Sequence, residues 1–314
     1  MNFEIITGKI ISVNISERKG TIKHPVEQIE LDENGIVGDA HSGRWHRQVS
    51  LLGVESIDRF NRTVDGQFGP GDFAENITTE GIDYSKVSIL DALRIGGVEL
   101  EITQIGKKIS DEDWGNYDFV GKYITPRESV FARVVRGGII RKNDEIRYIP
   151  HKFKIKIITL SDRASLGEYE DKSGPMVQQL LKKFFADKRW HTDFERIIIP
   201  DDENKLRNLL EKFRDEDVDL IFTTGGTGIG PHDITPDVVA SMCDKIIPGI
   251  MDYIRMKYGA EIPNALLSRS IACVMSNSLV YTLPGSTKAV REYIAEILKT
   301  LEHSIYMLHG IDIH

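Results

Sequence analysis

From Phe153 onward the chain alternates apolar runs with helical patterns, and that alternation leaves few folds open. "FKIKIITL" precedes a stretch in which Met176, Val177, Leu180, Leu181, Phe184 and Phe185 fall on one helical face. "FERIIIP" precedes Leu206, Leu209, Leu210 and Phe213 at the same spacing, and "SLVYTLP" precedes Val290, Tyr293, Ile294, Ile297, Leu298 and Leu301. Between these units, "VDLIFTT" runs into the glycine-rich "GGTGIGPHDITPD". Strand–helix repetition of this kind implies a parallel sheet covered on both faces.

Residues 1–150 have a different rhythm. "VELEIT" alternates Val98, Leu100 and Ile102 with polar neighbours, the period of a half-buried strand, and "GKIISVNIS" reads similarly. Glycine punctuation recurs at "ENGIVGD", "GQFGPGD", "RIGG" and "VRGG", and "GVESIDRFNR" is one of few helical stretches. This half is expected to be an antiparallel barrel or sandwich. With 314 residues the chain exceeds one ordinary core, so two domains are expected, 1–150 and 151–314, meeting near Pro150.

The formal charge of −8 divides into −5 for residues 1–150 and −3 for the rest, with no basic run, which argues against nucleic acid and for a small ligand. No apolar run approaches the roughly 18 residues of a membrane helix. The first residues do not read as a signal peptide. Two cysteines, Cys243 and Cys273, imply no disulfide framework and suit a reducing interior. A cytoplasmic protein is the expectation.

Strands of a parallel sheet leave through one edge, and ligands bind in the crevice there. "SDRAS" follows Leu160, "DDEN" follows Pro200, "GGTG" follows Thr224 and "GS" follows Pro284, so four strand exits carry small, acidic or hydroxyl residues. Glycines leave backbone N–H groups open to an anion. Thr235 as cap, Pro236 and Asp237 mark a helix start, whose N-terminus is a natural phosphate seat. Asp233 and Asp237 would repel phosphate unless a hard cation such as magnesium intervened, and Asp201 and Asp202 offer further oxygens. Neither GxGxxG nor GxxxxGK[ST] is present, and a glycine turn before a capped helix is also a common structural element.

In order, "SDRASLGEYEDKSGP", "IIPDDEN", "TTGGTGIGPHDITPD", "IPNALLSRS" and "LPGSTKAVREYI" resemble the molybdopterin adenylyltransferase family, the MogA/MoaB type. The resemblance covers residues 153–310. It implies a three-layer α/β domain, a homotrimer, and transfer of AMP from magnesium-ATP to the terminal phosphate of molybdopterin. The family's two functional aspartates match Asp201 and Asp233, which would hold magnesium through the phosphates. The phosphate loop "TTGGTG" matches Thr223 to Gly228 and "LPG" matches Leu283 to Gly285, which gives Thr224, Gly225, Gly226, Thr227, Gly228, Pro284, Gly285 and the following Ser286 as phosphate-site residues. Ser161, Asp162 and Arg163 would line the mouth, with Asp237, Ser268 and Arg269 as further phosphate-site residues. No protein nucleophile is needed for such a transfer. A molybdenum-insertion protein is an expected partner.

"GIVGDAHSGRWHRQVSLLG", "GQFGPGDFAENITTEGI" and "GVELEITQIGKK" resemble the MOSC domain, a barrel-like module of molybdenum-cofactor sulfurases. Sulfur-handling members place a cysteine shortly after the "TQIGKK"-like strand, and this chain has Ile109 near that place; residues 1–150 contain no cysteine. Cofactor or precursor binding is the remaining expectation, through Asp39, His41, Arg44, Arg47, Ser50, Glu75, Asn76, Arg127 and Arg133. Asp39, His41 and His46 form a weak metal pattern, for which a loop role is the simpler reading. The alternative to an enzyme is a carrier that holds molybdopterin or finished cofactor without chemistry.

Overall fold

Period-two burial closes the first half into a barrel. The computed structural model describes residues 6–19, 21–64, 67–106 and 128–312, and the chain divides into two units, 1–151 and 152–314. In the first unit the strands are β1 (Ile6–Ile15), β2 (His24–Val26), β3 (Gln28–Asp32), β4 (Gly35–Ile36), β5 (Val49–Gly53), β6 (Ile77–Glu80), β7 (Ala92–Ile95), β8 (Val98–Ile105), β9 (Val130–Arg136), β10 (Gly138–Arg141) and β11 (Glu145–Ile149). Hydrogen bonding runs β11-β7-β8-β9-β5-β6-β1, and β1 pairs back with β11 to close seven strands. The ten residues of β1 reach both neighbours because the strand bends at an irregularity between Ile10 and Ser12. Strands β10, β3 and β4 form a separate small sheet, and helix α1 (Val54–Val64) follows β5. Val98, Leu100 and Ile102 point inward with Leu93, Ile95, Val130 and Ala132, all essentially inaccessible. The β-rich, barrel-like expectation is what forms.

In the second unit, β12 (Lys152–Leu160), β13 (His191–Ile199), β14 (Leu220–Thr224), β15 (Lys245–Ile246), β16 (Ala272–Met275) and β17 (Ser278–Leu283) lie in the order β13-β12-β14-β17-β16-β15. The first four are parallel and are the four runs read from sequence; β16 and β15 join antiparallel. Central β14 and β17 are buried at every residue, whereas edge strand β13 alternates toward solvent. The helices are α2 (Asp162–Ser165), α3 (Ser173–Ala186), α4 (Glu203–Asp215), α5 (Thr235–Met242), α6 (Pro248–Gly259) and α7 (Thr287–Leu308), with a 3-10 turn at Pro263–Leu267. Their inward faces carry the expected residues, among them Val177, Leu181 and Phe185 on α3 and Leu206, Leu210 and Phe213 on α4.

The cysteines depart from expectation. Cys243 and Cys273 form a disulfide with Cα atoms 6.1 Å apart. Cys243 ends α5 two residues before β15, and β15 pairs Ile246 with Cys273 antiparallel at the sheet edge, which brings one cysteine to the other. A two-residue strand has too little pattern to be read from sequence, so this meeting was not legible there. Among the described residues no helix is long and apolar enough to cross a membrane.

Candidate active site

The glycine turn sits where three parallel strands end. Gly225 has φ +98, and a Cβ there would lie 2.3 Å from the carbonyl oxygen of Leu160 at the end of β12, so only glycine fits. Its amide donates to Leu283 O at the end of β17, at 3.0 Å. Gly226 is left-handed as well (φ +60), and a Cβ would meet Thr235 Oγ1 at 2.6 Å.

Every carbonyl of this turn is tied to the protein on one side. Gly225 O accepts from Thr235 Oγ1 at 2.9 Å and Gly226 O from the Thr235 amide at 3.1 Å. Thr227 O accepts from the Arg269 amide at 2.9 Å, and Gly228 O from Arg269 Nε at 2.7 Å. In a trans peptide the carbonyl of one residue opposes the N–H of the next. The amides of Gly226, Thr227, Gly228 and Ile229 are therefore turned the other way, and they have no acceptor among the described residues. Four consecutive open donors make a concavity for an anion. Thr235 was expected to cap its helix; its hydroxyl binds Gly225 O instead, and Ile234 occupies the cap position without a side-chain bond.

Two carboxylates flank this turn. Asp201 Oδ1 lies 3.5 Å from where a Cβ of Gly226 would stand, and Asp233 Oδ2 lies 2.7 Å from that of Gly228. Asp233 is fixed by the Gly230 amide at 2.8 Å. Asp201 and Asp162 hold each other reciprocally: the Asp162 amide donates to Asp201 Oδ2 at 3.2 Å and the Asp201 amide to Asp162 Oδ1 at 3.0 Å. Partial burial raises the Asp201 pKa, and the neighbouring charges of Asp162 and Asp233 push it further up against the Asp162 amide and His232.

A cavity of about 520 Å³ opens beside the turn. Gly225, Gly226, Thr227, Gly228, Asp233, Ser268, Pro284, Gly285 and Ser286 line it, all read from sequence. Ser286 also caps α7 through the Ala289 amide at 3.2 Å. Tyr258, Asn264, Lys288, Glu292 and Tyr293 line it too and were missed. Lys288 and Glu292 stand four apart on α7, the one usable signal; Tyr258 and Asn264 belong to no motif. The other expected residues lie elsewhere. Thr224 is buried, its hydroxyl 2.8 Å from that of Ser173. Ser161 caps α2, Arg163 lies over the Tyr169 ring at 5.6 Å, and Asp202 caps α4. Asp237 pairs with Arg269 at 2.9 Å through both carboxylate oxygens.

In the barrel, Asp39 is buried and accepts from Lys23 Nζ at 2.5 Å, Asn76 Nδ2 at 3.1 Å and the amides of Ser16 and His41. Burial opposes its ionisation, but bonds from His41 and Lys23 outweigh that and hold it well below the usual carboxylate range. Burial lowers the Lys23 pKa against the pull of Asp39. Asn76 also accepts from Ser50 Oγ at 2.9 Å, and its Nδ2 reaches Asn14 O. Glu75 takes the Gly71 amide at 2.6 Å and Thr78 Oγ1 at 2.7 Å, and burial raises its pKa. The structure thus joins Asp39, His41, Ser50, Asn76 and, through Asn14, Glu75. Arg44 instead faces Glu33 on the surface and Arg133 pairs with Glu101 at 2.7 Å. Arg47 stacks on exposed Trp45 at 4.9 Å. Arg127 lies outside the described residues. Lys23 was missed because a lone lysine between loops gives no pattern.

No group of three His, Cys, Asp or Glu able to hold a metal occurs among the described residues. His41 Nδ1 faces Lys23 Nζ at 3.4 Å, which disfavours a cation there. At the glycine turn, Asp201 and Asp233 are two carboxylates beside open amides, a donor set that fits magnesium arriving with phosphate oxygens and does not fit a bare ion.

Residues 156–303 match the model of a family described as a probable molybdopterin binding domain, and residues 38–147 match the MOSC domain. A molybdopterin adenylyltransferase of Helicobacter pylori strain J99 is 34% identical over 157 residues, 50% of this chain and 88% of that protein. One from Haemophilus influenzae is 36% identical over 140 residues, 44% of this chain and 70% of its own. The structure of the molybdopterin biosynthesis Mog protein from Mycobacterium ulcerans is 32% identical with a TM-score of 0.46, covering 50% of this chain and 99% of that one.

Proposed function

Through its C-terminal half the chain belongs to the molybdopterin adenylyltransferase family, and on that premise we propose that this half transfers AMP from ATP to the terminal phosphate of molybdopterin. A phosphate oxygen of molybdopterin bonds to the α-phosphorus of ATP, the bond to the β-phosphate oxygen breaks, and pyrophosphate leaves with the electron pair. Such transfers need positioning and charge stabilisation more than covalent help.

The observation that carries this reading is the row of open amides, Gly226 to Ile229, between Asp201 and Asp233 and beside a cavity large enough for a pterin. The amides take up charge on the reacting phosphates. Asp201, braced by Asp162, and Asp233, braced by Gly230, would hold magnesium, which when bound would neutralise phosphate charge. Tyr258, Tyr293, Ile262 and Leu267 give the cavity apolar walls for a flat ring, while Lys288 and the start of α7 add positive charge. Incubation with labelled ATP, magnesium and molybdopterin tests this. AMP-molybdopterin and pyrophosphate in equal amounts support the enzyme; tight binding without turnover identifies a carrier.

For the barrel we assign binding of molybdopterin or finished cofactor without sulfur transfer. A persulfide needs a thiolate, and residues 1–150 contain no cysteine. His41, Arg47 and exposed Trp45 offer cationic and stacking contacts, while Asp39, Asn76, Ser50 and Lys23 fasten the loop that carries them. Fluorescence titration of pterin against wild type and Trp45→Ala checks it; equal affinity refutes the assignment. A homotrimer is proposed for the second unit, whose Met256, Leu266 and Leu267 are exposed apolar residues on α6 and the following turn; light scattering reads the mass directly.

A further inference from the structure

We infer that Arg269 is a positioning residue that shapes the phosphate-binding turn from behind and does not meet phosphate. This rests on the turn being a phosphate seat. A basic residue beside a glycine loop reads first as an anion partner, but the guanidinium is already committed. Its Nε donates to Gly228 O at 2.7 Å, Nη1 to both oxygens of Asp237 at 2.9 Å, and Nη2 to Asp233 O. The Arg269 amide adds Thr227 O at 2.9 Å. One side chain thus gathers three separated points of the loop between Gly228 and Asp237.

Each contact has a consequence on the opposite face. Holding Thr227 O and Gly228 O inward aims the amides of Gly228 and Ile229 outward. Holding Asp233 O fixes the backbone from which the Asp233 carboxylate reaches toward Gly228 and Gly230. The Asp237 ion pair is solvent-exposed on both sides and contributes little by itself. The carbonyl contacts therefore carry the effect. They need a planar fork with several donors in fixed directions, which lysine, a point charge on a flexible stem, does not provide.

The test uses the full chain with Arg269→Lys, Arg269→Gln and Asp237→Asn. Steady-state rates with ATP and molybdopterin are measured, together with hydrogen exchange of the position-235 and position-269 amides in ligand-free protein. A displaced loop predicts that Arg269→Lys loses about 100-fold in kcat, as Arg269→Gln does, with KM changed by less than about threefold. Exchange at both amides rises in the two variants, while Asp237→Asn stays within about threefold of wild type in kcat. Arg269→Lys that keeps kcat while KM for ATP climbs is the behaviour of a phosphate ligand and overturns the inference. So does unchanged exchange in a folded Arg269→Gln protein. If Arg269→Gln does not fold, Arg269→Lys decides alone by the same two readouts. Exchange needs no substrate, so a wild type that adenylylates nothing sinks the proposed reaction while the loop result still stands or falls separately.

Discussion

A single methyl group at Gly228 separates the position of Asp233 from the integrity of the fold. The φ of Gly228 is not positive, so alanine is tolerated by the backbone. Its Cβ, however, would stand 2.7 Å from Asp233 Oδ2 and 3.2 Å from Asp233 Cγ. The carboxylate must retreat from 2.7 Å to at least 3.4 Å, about 0.7 Å, to reach ordinary contact. That rotation breaks the bond from the Gly230 amide, worth about 0.5–1.5 kcal/mol. The restricted unfolded chain returns about 0.4–1 kcal/mol. Stability therefore changes by no more than about 1 kcal/mol, or about 2–4 °C in Tm for a domain of this size. A catalytic group displaced by about 0.7 Å costs on the order of 10- to 100-fold in rate. The assay pairs AMP-molybdopterin formation at saturating substrates with thermal melting. Gly249→Ala is the control, because a Cβ there meets nothing within 4 Å. A Gly228→Ala protein with kcat within about threefold of wild type and an unchanged Tm would refute the placing of Asp233 at the reacting phosphates.

Further expectations follow from the same contacts. Asp233→Ala should nearly abolish adenylylation with a modest loss of stability, since this half-buried acid supports little core; normal turnover would remove it from the site. Asp201→Asn should be inactive yet melt higher than wild type at pH 7. The folded pKa of Asp201 is raised, so its favourable contribution exists below the unfolded carboxylate range near ~3.9 and is lost as pH rises through the folded value. The advantage of asparagine should accordingly shrink toward pH 4, and identical melting at both pH values would contradict it. Lys23→Met leaves the buried Asp39 carboxylate uncompensated and should destabilise the barrel by about 3–5 kcal/mol in a denaturant titration. A chain of residues 152–314 alone should keep adenylylation within about threefold, because its core residues all lie within that span; loss of turnover would show dependence on the barrel.

The fold was legible where periodicity runs long enough to be unambiguous. Three apolar runs precede a helical stripe and the fourth runs into the glycine turn, and these are β12, β13, β17 and β14, the parallel strands. What escaped was short or antiparallel: β15 has two residues and β16 four, too few for a pattern, and the cysteine pairing depends on both. At the site, glycines and acids at strand exits announced a ligand edge, but residue type did not announce what each side chain touches. Arg269 and Arg163 were both read as phosphate partners, yet one braces the loop and the other lies over Tyr169. Of the adjacent acids, the resemblance points to Asp201; Asp202 is used by its capping bond to the Lys205 amide, while Asp201 stands beside Gly226 and is braced by Asp162. Tyr293 reads as helix core because it is core on one side and cavity wall on the other.

The charges around the turn explain why both glycines and acids are required. Asp162, Asp201 and Asp233 gather at the strand exits without an ion-pair partner among the described residues, and Arg269 is bound to Asp237 and to carbonyls. Free phosphate would find four favourable amides and at least two repelling carboxylates within one small region, contributions of opposite sign and similar reach. A bare divalent cation would find carboxylates but too few oxygens to complete its shell, since among the described residues no group of three His, Cys, Asp or Glu is placed to hold a metal. Only the two together satisfy both sets, amides to phosphate and carboxylates to metal. On the proposed function such an edge would take a metal-complexed nucleotide in preference to either component; partial burial raises the Asp201 pKa first, and the charges of Asp162 and Asp233 add to it.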